Sequence, residues 1–147
     1  MKPFNKTLFA SLTLIALLAA ACGSFGPPPE CAEGLGGTAD EALFAQYFTS
    51  MELVSAASGQ PGGPAENGTA FPAGEPLAVN VSAVAEVSVR FCVQGFYDGG
   101  VIADDLTADM VPGDNQVHLD AFDTAASYVV RVIVDGVLVK NLPFTMQ

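Results

Sequence analysis

The side chains most able to do chemistry are aspartates in the second half of the chain. They lie between positions 98 and 114, at Asp98, Asp104, Asp105, Asp109 and Asp114. Calcium takes six to eight oxygen ligands, and aspartates clustered in loops supply them, so the first four are candidate calcium ligands at one end of the fold. Their spacing fits no EF-hand, whose ligands occupy fixed positions. The alternative is that they form turns and add solubility.

Catalytic motifs are missing from the sequence. The chain has one histidine, His118, and it alternates with the apolar Val117 and Leu119, which predicts that it faces solvent. No Gly-x-Ser-x-Gly nucleophile motif, phosphate-binding glycine loop or Cys-x-x-Cys pair occurs, and zinc needs several His or thiolate ligands. The sequence therefore favours a protein that is not an enzyme and that has no cofactor other than the calcium considered above.

The N-terminal residues carry a separate chemical signal. Lys2 and Lys6 precede an apolar run over residues 8–18, which three alanines and then Cys22 follow. This arrangement resembles the export signal and lipobox of bacterial lipoproteins. The resemblance implies that residues 1–21 are a signal peptide and that Cys22 becomes the lipidated first residue of the mature protein.

Two alternatives remain open for this segment. A membrane-spanning helix needs about 20 apolar residues, whereas this run is shorter and is interrupted by Ser11 and Thr13. Ordinary cleavage after Ala21 would instead leave Cys22 as a thiol, free or in a disulfide.

The lipoprotein resemblance also predicts a location. Several acyl chains on Cys22 hold a protein firmly to a membrane, so we expect a lipid-anchored protein of the cell envelope. Gly23 stands where lipoproteins retained at the inner membrane carry Asp, which implies the outer membrane if the cell has two. Residues 22–38 are rich in Gly and Pro and are predicted to form a disordered tether.

The charge of the chain limits its partners. The formal net charge is −11, and it becomes −13 once residues 1–21, with Lys2 and Lys6, are removed. Nucleic acid binding needs clustered Lys or Arg, and the mature chain keeps only Arg90, Arg131 and Lys140. We therefore expect no nucleic acid partner, and anionic headgroups would repel the domain as well, so that the lipid alone holds it at the membrane.

Hydrophobic periodicity predicts a β-domain over residues 39–147. Apolar residues recur at every second position in segments 77–81, 87–93, 117–119 and 128–134, which is strand spacing. The pair Asp135-Gly136 predicts a two-residue hairpin turn between the last two strands. Upstream, residues 40–48 read as a short helix capped by Thr38 or Asp40, residues 51–57 as a strand, and the Gly- and Pro-rich residues 58–68 as an exposed loop.

The remaining cysteines form one candidate disulfide. With Cys22 lipidated, Cys31 and Cys92 are left to pair in an oxidising compartment, and the alternative is two free thiols. The apolar residues of segment 87–93 are the odd ones, so Cys92 should lie on the face of its strand away from the core. A segment with Cys31 could then cross the sheet and be pinned there.

The order of these strands has a familiar pattern. The turn at Val111-Pro112-Gly113, the strand after it and the later strand that begins at Tyr128 resemble immunoglobulin or fibronectin-like modules of exported bacterial proteins. The resemblance implies an all-β, antiparallel immunoglobulin-like β-sandwich with a short N-terminal helix, and it transfers no catalytic residue.

Two functions remain in view. The first is a module for envelope assembly that contacts another envelope protein through strand edges and loops. The second is calcium or carbohydrate binding, for which Phe96, Tyr97 and Phe122 are the candidate sugar platforms.

Overall fold

The computed structural model describes residues 31, 38–66 and 68–147 and consists of one short helix and nine strands. The predicted signal peptide, Cys22 and nearly all of the predicted tether lie outside these residues. The elements are α1 (Glu41–Tyr47), β1 (Phe48–Ser55), β2 (Gly63–Ala65), β3 (Gly68–Phe71), β4 (Leu77–Ala83), β5 (Val87–Gly95), β6 (Val101–Met110), β7 (Gly113–His118), β8 (Ser127–Val134) and β9 (Val137–Met146).

The strands form two sheets that pack as a β-sandwich. One sheet has three strands in the order β1-β4-β7, and the other has six in the order β2-β3-β9-β8-β5-β6. All neighbours are antiparallel except β3 and β9, which are parallel. The prediction of a mostly β, mainly antiparallel domain with one short helix is confirmed.

The core lies between the facing sides of the two sheets. Val79 and Val81 of β4 face Val89, Phe91 and the other odd residues of β5, and these four side chains are at most 1% exposed. Each fully buried side chain of this size contributes roughly 1.5–3 kcal/mol through removal from water. The period-two pattern of the sequence is therefore the pattern of burial in the strands.

An aromatic cluster closes one end of this core. Tyr128 stacks on Phe144 with ring centroids 5.0 Å apart, and Phe122 lies 5.3 Å from Tyr128. The Tyr128 hydroxyl donates a hydrogen bond of 2.8 Å to the carbonyl of Thr124. Burial, helped by the neighbouring Tyr97, raises the pKa of Tyr128 to about 12, because a phenolate would lose its hydration there.

Local signals explain the best-predicted elements. Asp40 caps α1, because its carboxylate accepts the Leu43 N–H at 2.9 Å. The hairpin of β8 and β9 turns at Asp135 and Gly136, with φ of 51° and 77°, the left-handed backbone that this turn requires at both positions. Both predictions are confirmed.

The helix covers an edge of the larger sheet. Strand β3 pairs only with the C-terminal end of β9, from Phe144 onward. Nearer the start of β9, the N–H of Asp40 donates to the Leu138 carbonyl at 2.8 Å, and Lys140 places its ammonium group 5.2 Å from the Phe44 ring centroid. This contact protects part of an edge that would otherwise be open to another chain.

The structure corrects three predicted boundaries. Strand β1 begins at Phe48 rather than at residue 51, directly after the helix. The predicted loop 58–68 contains strand β2, where Pro64 is tolerated because the strand lies at the edge of the sheet. The aspartate-rich residues 101–110 form strand β6 and not a loop, since Leu106, Ala108 and Met110 alternate toward the core.

Candidate functional surfaces

Strand β6 is the long edge of the larger sheet. It has ten residues and pairs on one side with β5. No strand of the described ranges pairs with its other side, so backbone N–H and C=O groups are open to another chain there, except that the Asp105 N–H donates to the Asp104 carboxylate. Its solvent-facing side chains include Ile102, Asp105, Thr107 and Asp109. The edge is therefore accessible and acidic.

Asp105 makes an ion pair with its neighbour on β5. Arg90 donates from Nε to Oδ1 at 2.8 Å and from Nη2 to Oδ2 at 2.7 Å. The hydrogen bonds from Arg90 lower the pKa of Asp105, with partial burial acting in the opposite sense. Both side chains remain partly in solvent, at 27% and 37% exposed, so the pair contributes at most about 1 kcal/mol.

Asp104 has a structural role at the edge of the sandwich. Its two oxygens accept the N–H groups of Asp105 and Asp120, at 2.8 and 2.9 Å. Asp120 follows β7 of the smaller sheet, so this carboxylate joins the two sheets where no strand does. Both carboxylate oxygens of Asp104 therefore accept hydrogen bonds from the backbone.

The structure does not gather the predicted calcium ligands into one place. Asp98 lies in the turn after β5 with φ of 51°. On β6, Asp104 and Asp105 are consecutive and point to opposite faces, and Asp109 is opposite Ser88 on the outer face. Within residues 31, 38–66 and 68–147, no three His, Cys, Asp or Glu residues form a group that could hold a metal ion.

The fifth aspartate belongs to the other sheet. Asp114 is on β7 and accepts the Ser82 hydroxyl at 2.7 Å, beside Gln116, which donates to Asn80 at 2.9 Å. These side chains line a shallow polar depression of about 540 Å³ on the outer face of the three-stranded sheet. They hydrogen-bond mainly to one another across the strands.

The predicted disulfide between Cys31 and Cys92 is present. Their Cα atoms are 5.7 Å apart, and Cys92 lies on the face of β5 away from the main core, as its parity predicts. There both sulfurs are buried in a second small cluster with Ile133 and Leu138. Cys31 therefore lies across the outer face of the larger sheet.

The remaining side chains singled out in the sequence are divided between surface and core. His118 is exposed, as predicted. Phe96 is 54% exposed, whereas Phe122 is 4% exposed and belongs to the core, so its assignment as a sugar platform is wrong. Tyr97 is half-buried with its ring 5.7 Å from Tyr128. Only Phe96 of the three rings is available to a ligand.

A groove that the sequence does not reveal lies on the outer face of the larger sheet. We call it the sheet-face groove; its volume is about 390 Å³, and its lining includes Phe96, Val129, Arg131, Asn141 and Pro143. Three strands contribute to it through their register. The one available signal is that β8 is apolar at consecutive positions 128–130, which indicates a strand covered on both faces.

Two polar groups inside the sheet-face groove stand out. The Arg131 guanidinium donates to Gln94 Oε1 from Nε at 3.3 Å and from Nη2 at 3.1 Å. The Oδ1 atom of Asn141 is buried without a hydrogen-bond partner. A buried acceptor in this state costs roughly 1–3 kcal/mol.

Comparison with known proteins gives no family assignment. No protein-family model matches the chain, and no curated protein is significantly similar to it. The part of the chain that the structure describes has no helix long and apolar enough to cross a membrane. The described residues form a mostly β, two-sheet domain with a disulfide between Cys31 and Cys92.

Proposed function

We propose that this protein is a non-enzymatic lipoprotein of the cell envelope that contacts another envelope protein through an immunoglobulin-like β-sandwich. The observation that carries the proposal is the open edge of β6, ten residues long. Proteins usually shorten or cover such edges because they invite pairing with other chains. A long accessible edge is the feature used when a partner adds a strand to a sheet.

The immunoglobulin-like assignment is supported by topology and by one side chain. The smaller sheet is β1-β4-β7, and the run β9-β8-β5-β6 of the larger sheet is similar to the G, F, C and C′ strands of such sandwiches, with β2 and β3 as additional strands. Tyr128 stands at the start of the penultimate strand and its hydroxyl donates to a carbonyl four residues upstream. That contact is similar to the tyrosine corner of immunoglobulin-like domains and supports the proposed assignment.

The charge on β6 indicates the kind of partner. Asp105 and Asp109 are exposed on this strand, so a second copy pairing there would bring carboxylates together, which destabilises a pair of strands. A strand with Lys or Arg at alternate positions would be attracted. The proposed partner is therefore an envelope protein with a basic, accessible strand.

The lipid anchor is supported by the sequence at Cys22 and is consistent with the disulfide. Cys31 lies nine positions after Cys22, so the two residues are at most about 32 Å apart when the chain is fully extended. Since Cys31 is bonded to Cys92, a lipid on Cys22 would hold the domain close to the membrane surface. A partner would then be another membrane protein or a protein of the adjacent envelope.

The test is capture of partners from the detergent-solubilised envelope of the protein's own organism. The bait proteins are the wild type, Thr107→Lys on the open edge and Thr49→Lys on β1 of the other sheet, both exposed threonines. The two variants change the charge equally, and a lysine on an edge strand obstructs strand addition. Mass spectrometry of the purified bait would show whether Cys22 carries the lipid.

The proposal predicts one protein that is captured by the wild type and by Thr49→Lys and is lost with Thr107→Lys. Equal capture by all three baits would contradict the use of the β6 edge. Each capture is run with calcium and with chelator. Binding that requires calcium would favour the alternative function over the edge-strand mechanism.

A further inference from the structure

The register of β5 determines which residues of β6 point their backbone to the open edge. In an antiparallel ladder, both backbone groups of one residue point to the same side, and those of the next residue point to the opposite side. The N–H of Phe96, directly after β5, donates to the Ser127 carbonyl of β8 at 2.9 Å, and the pairing of β5 with β8 is regular. Even-numbered residues of β5 therefore face β8, and odd-numbered residues such as Val89 bond to even-numbered partners such as Ala108 of β6. Residues 105, 107 and 109 of β6 consequently face the open edge.

Two side chains of the protein obstruct this edge at either end of a short stretch. At one end, the Asp105 N–H donates to the Asp104 carboxylate at 2.8 Å, and the same carboxylate accepts the Asp120 N–H at 2.9 Å. At the other end, the Val111 N–H donates to Asn115 Oδ1 at 3.1 Å, and Asn115 Nδ2 donates to the Val111 carbonyl at 2.8 Å. An added strand would have to displace these contacts to continue beyond either end.

The backbone between the two obstructed ends is open. Among the described residues, no group bonds to the outward N–H and C=O of Thr107 or Asp109. We call these two residues, together with the outward Asp105 carbonyl, the edge window. Residues 105–109 extend four positions along the strand, or about 13 Å. A segment of about five residues therefore fits the edge window, and it forms complete backbone pairs at Thr107 and Asp109.

The core side of the edge window favours apolar residues in the added segment. Leu106 and Ala108 pack against the core but are only half-buried, as expected on a strand with one open side. Side chains directly opposite each other in a pair of strands lie on the same face of the sheet. Apolar residues opposite these two positions would therefore extend the core and remove more of Leu106 and Ala108 from water.

The outer side of the edge window favours a basic residue at one position. Asp109 and Glu86 both line a depression of about 460 Å³, and no Lys or Arg of the described residues lines it. The exposed Val111 also lines this depression, where it can contact the alkyl part of a long basic side chain. Thr107 differs from Asp109 because its direct neighbour on β5 is the positively charged Arg90. A Lys or Arg is therefore favoured opposite Asp109 and not opposite Thr107.

We propose that the edge window binds one extended segment of about five residues, antiparallel to β6, with apolar residues opposite Leu106 and Ala108 and a Lys or Arg opposite Asp109. This partner rests on the proposed function of the β6 edge and specifies its length, register and chemistry. Antiparallel pairing is the more stable arrangement per residue. A slip of one residue would place the basic side chain on the core side, so the apolar and basic positions together select the register.

The test uses the synthetic peptide acetyl-Val-Lys-Val-Thr-Val-Ser-amide, whose Lys falls opposite Asp109 in this register. The peptide is titrated to millimolar concentration into the isotope-labelled, oxidised protein in detergent micelles, and the amide resonances of β6 are followed by nuclear magnetic resonance. We expect downfield shifts of the Thr107 and Asp109 amide protons, because they gain hydrogen bonds, and none for Asp105, whose N–H is already bonded. The same peptide with Glu in place of Lys should bind roughly fivefold more weakly.

A matched pair of variants locates the binding. Thr107→Pro removes an outward N–H and no bond to β5, and edge strands tolerate proline, so this variant should lose the peptide-induced shift of Asp109. Ala103→Pro lies beyond Asp104, at the unpaired residue where the register of β6 shifts, and it should bind the peptide as the wild type does. Asp109→Asn tests the charge without a change of backbone, and it should reduce the difference in affinity between the Lys and Glu peptides.

The proposal is overturned if no β6 amide shifts, if the Asp105 amide shifts as much as that of Thr107, or if the Lys and Glu peptides bind alike. Its failure differs from failure of the proposed function. If Thr107→Lys abolishes capture of an envelope protein but the peptide does not bind, the edge is used in another way and only this proposal fails. If the peptide binds as expected but capture is unaffected by Thr107→Lys, the edge window stands and the envelope function fails.

Discussion

The hydroxyl of Tyr128 provides the sharpest test of the fold. Tyr128→Phe removes the 2.8 Å hydrogen bond to the Thr124 carbonyl and leaves the ring on Phe144, with centroids 5.0 Å apart. A single neutral hydrogen bond contributes about 1 kcal/mol net. In a domain of this size that loss lowers the melting temperature by about 4 °C.

The effect of Tyr128→Phe on the free energy of unfolding should change sign at alkaline pH. The pKa of Tyr128 is raised to about 12 in the folded protein, against 10 when unfolded. Below pH 10 the phenol is neutral in both states and its contribution is complete. Above pH 10 the unfolded chain loses the proton first, so wild-type stability falls until the folded pKa is passed, by up to about 3 kcal/mol.

Tyr128→Phe has no such loss, so the two stability curves should cross near about pH 11. The assay is urea unfolding by circular dichroism between pH 7 and pH 11.5. Tyr47→Phe is the control, since the Tyr47 hydroxyl has no hydrogen-bond partner among the described residues, and we expect a change within about 0.5 kcal/mol. Equal stability of wild type and Tyr128→Phe at pH 7, with no crossing at high pH, would refute the reasoning.

Three further predictions concern the disulfide and the acidic residues. Replacement of Cys31 and Cys92 by serine should lower the free energy of unfolding by about 4 kcal/mol, from the loop of 61 residues, and a loss below about 1 kcal/mol in urea titrations would contradict this. Asp105→Asn should cost less than about 1 kcal/mol at pH 7; because Arg90 lowers the pKa of Asp105, this cost should disappear as the pH falls below that pKa, which acid titration of both proteins would show. Calcium should leave the melting temperature unchanged, because the four candidate aspartates do not converge, and a stoichiometric rise would restore the predicted site.

The sequence is most informative where one local rule decides the structure. The hairpin at Asp135 and Gly136 follows from the backbone that a two-residue turn requires, and the cap at Asp40 follows from the first unpaired N–H groups of a helix. The outward face of Cys92 follows from parity alone. Each of these depends on a few neighbouring residues.

Where the sequence misleads, the reason is tertiary. The aspartates of β6 read as loop residues because a strand usually carries few of them, yet an edge strand with one face in solvent tolerates them. No Gly or Pro lies between α1 and β1. The apolar Phe48 therefore continues the helical spacing in the sequence, although it is the first residue of β1.

The sheet-face groove could not be predicted because its parts are distant in the chain. Phe96 directly follows β5, Val129 lies in β8 and Asn141 lies in β9. Only the pairing register of these three strands brings the residues together. No spacing rule in one sequence encodes that register. The same limit applies to the dispersal of the predicted calcium ligands.

The position of the disulfide has a mechanical consequence. A pulling force on the N-terminal segment enters the domain at Cys92, on a strand that has β6 on one side and β8 on the other. The covalent link bypasses α1 and β1, so these elements carry no tension and cannot be peeled away first. Because β5 is paired on both sides, displacing it would require breaking two ladders of hydrogen bonds at once.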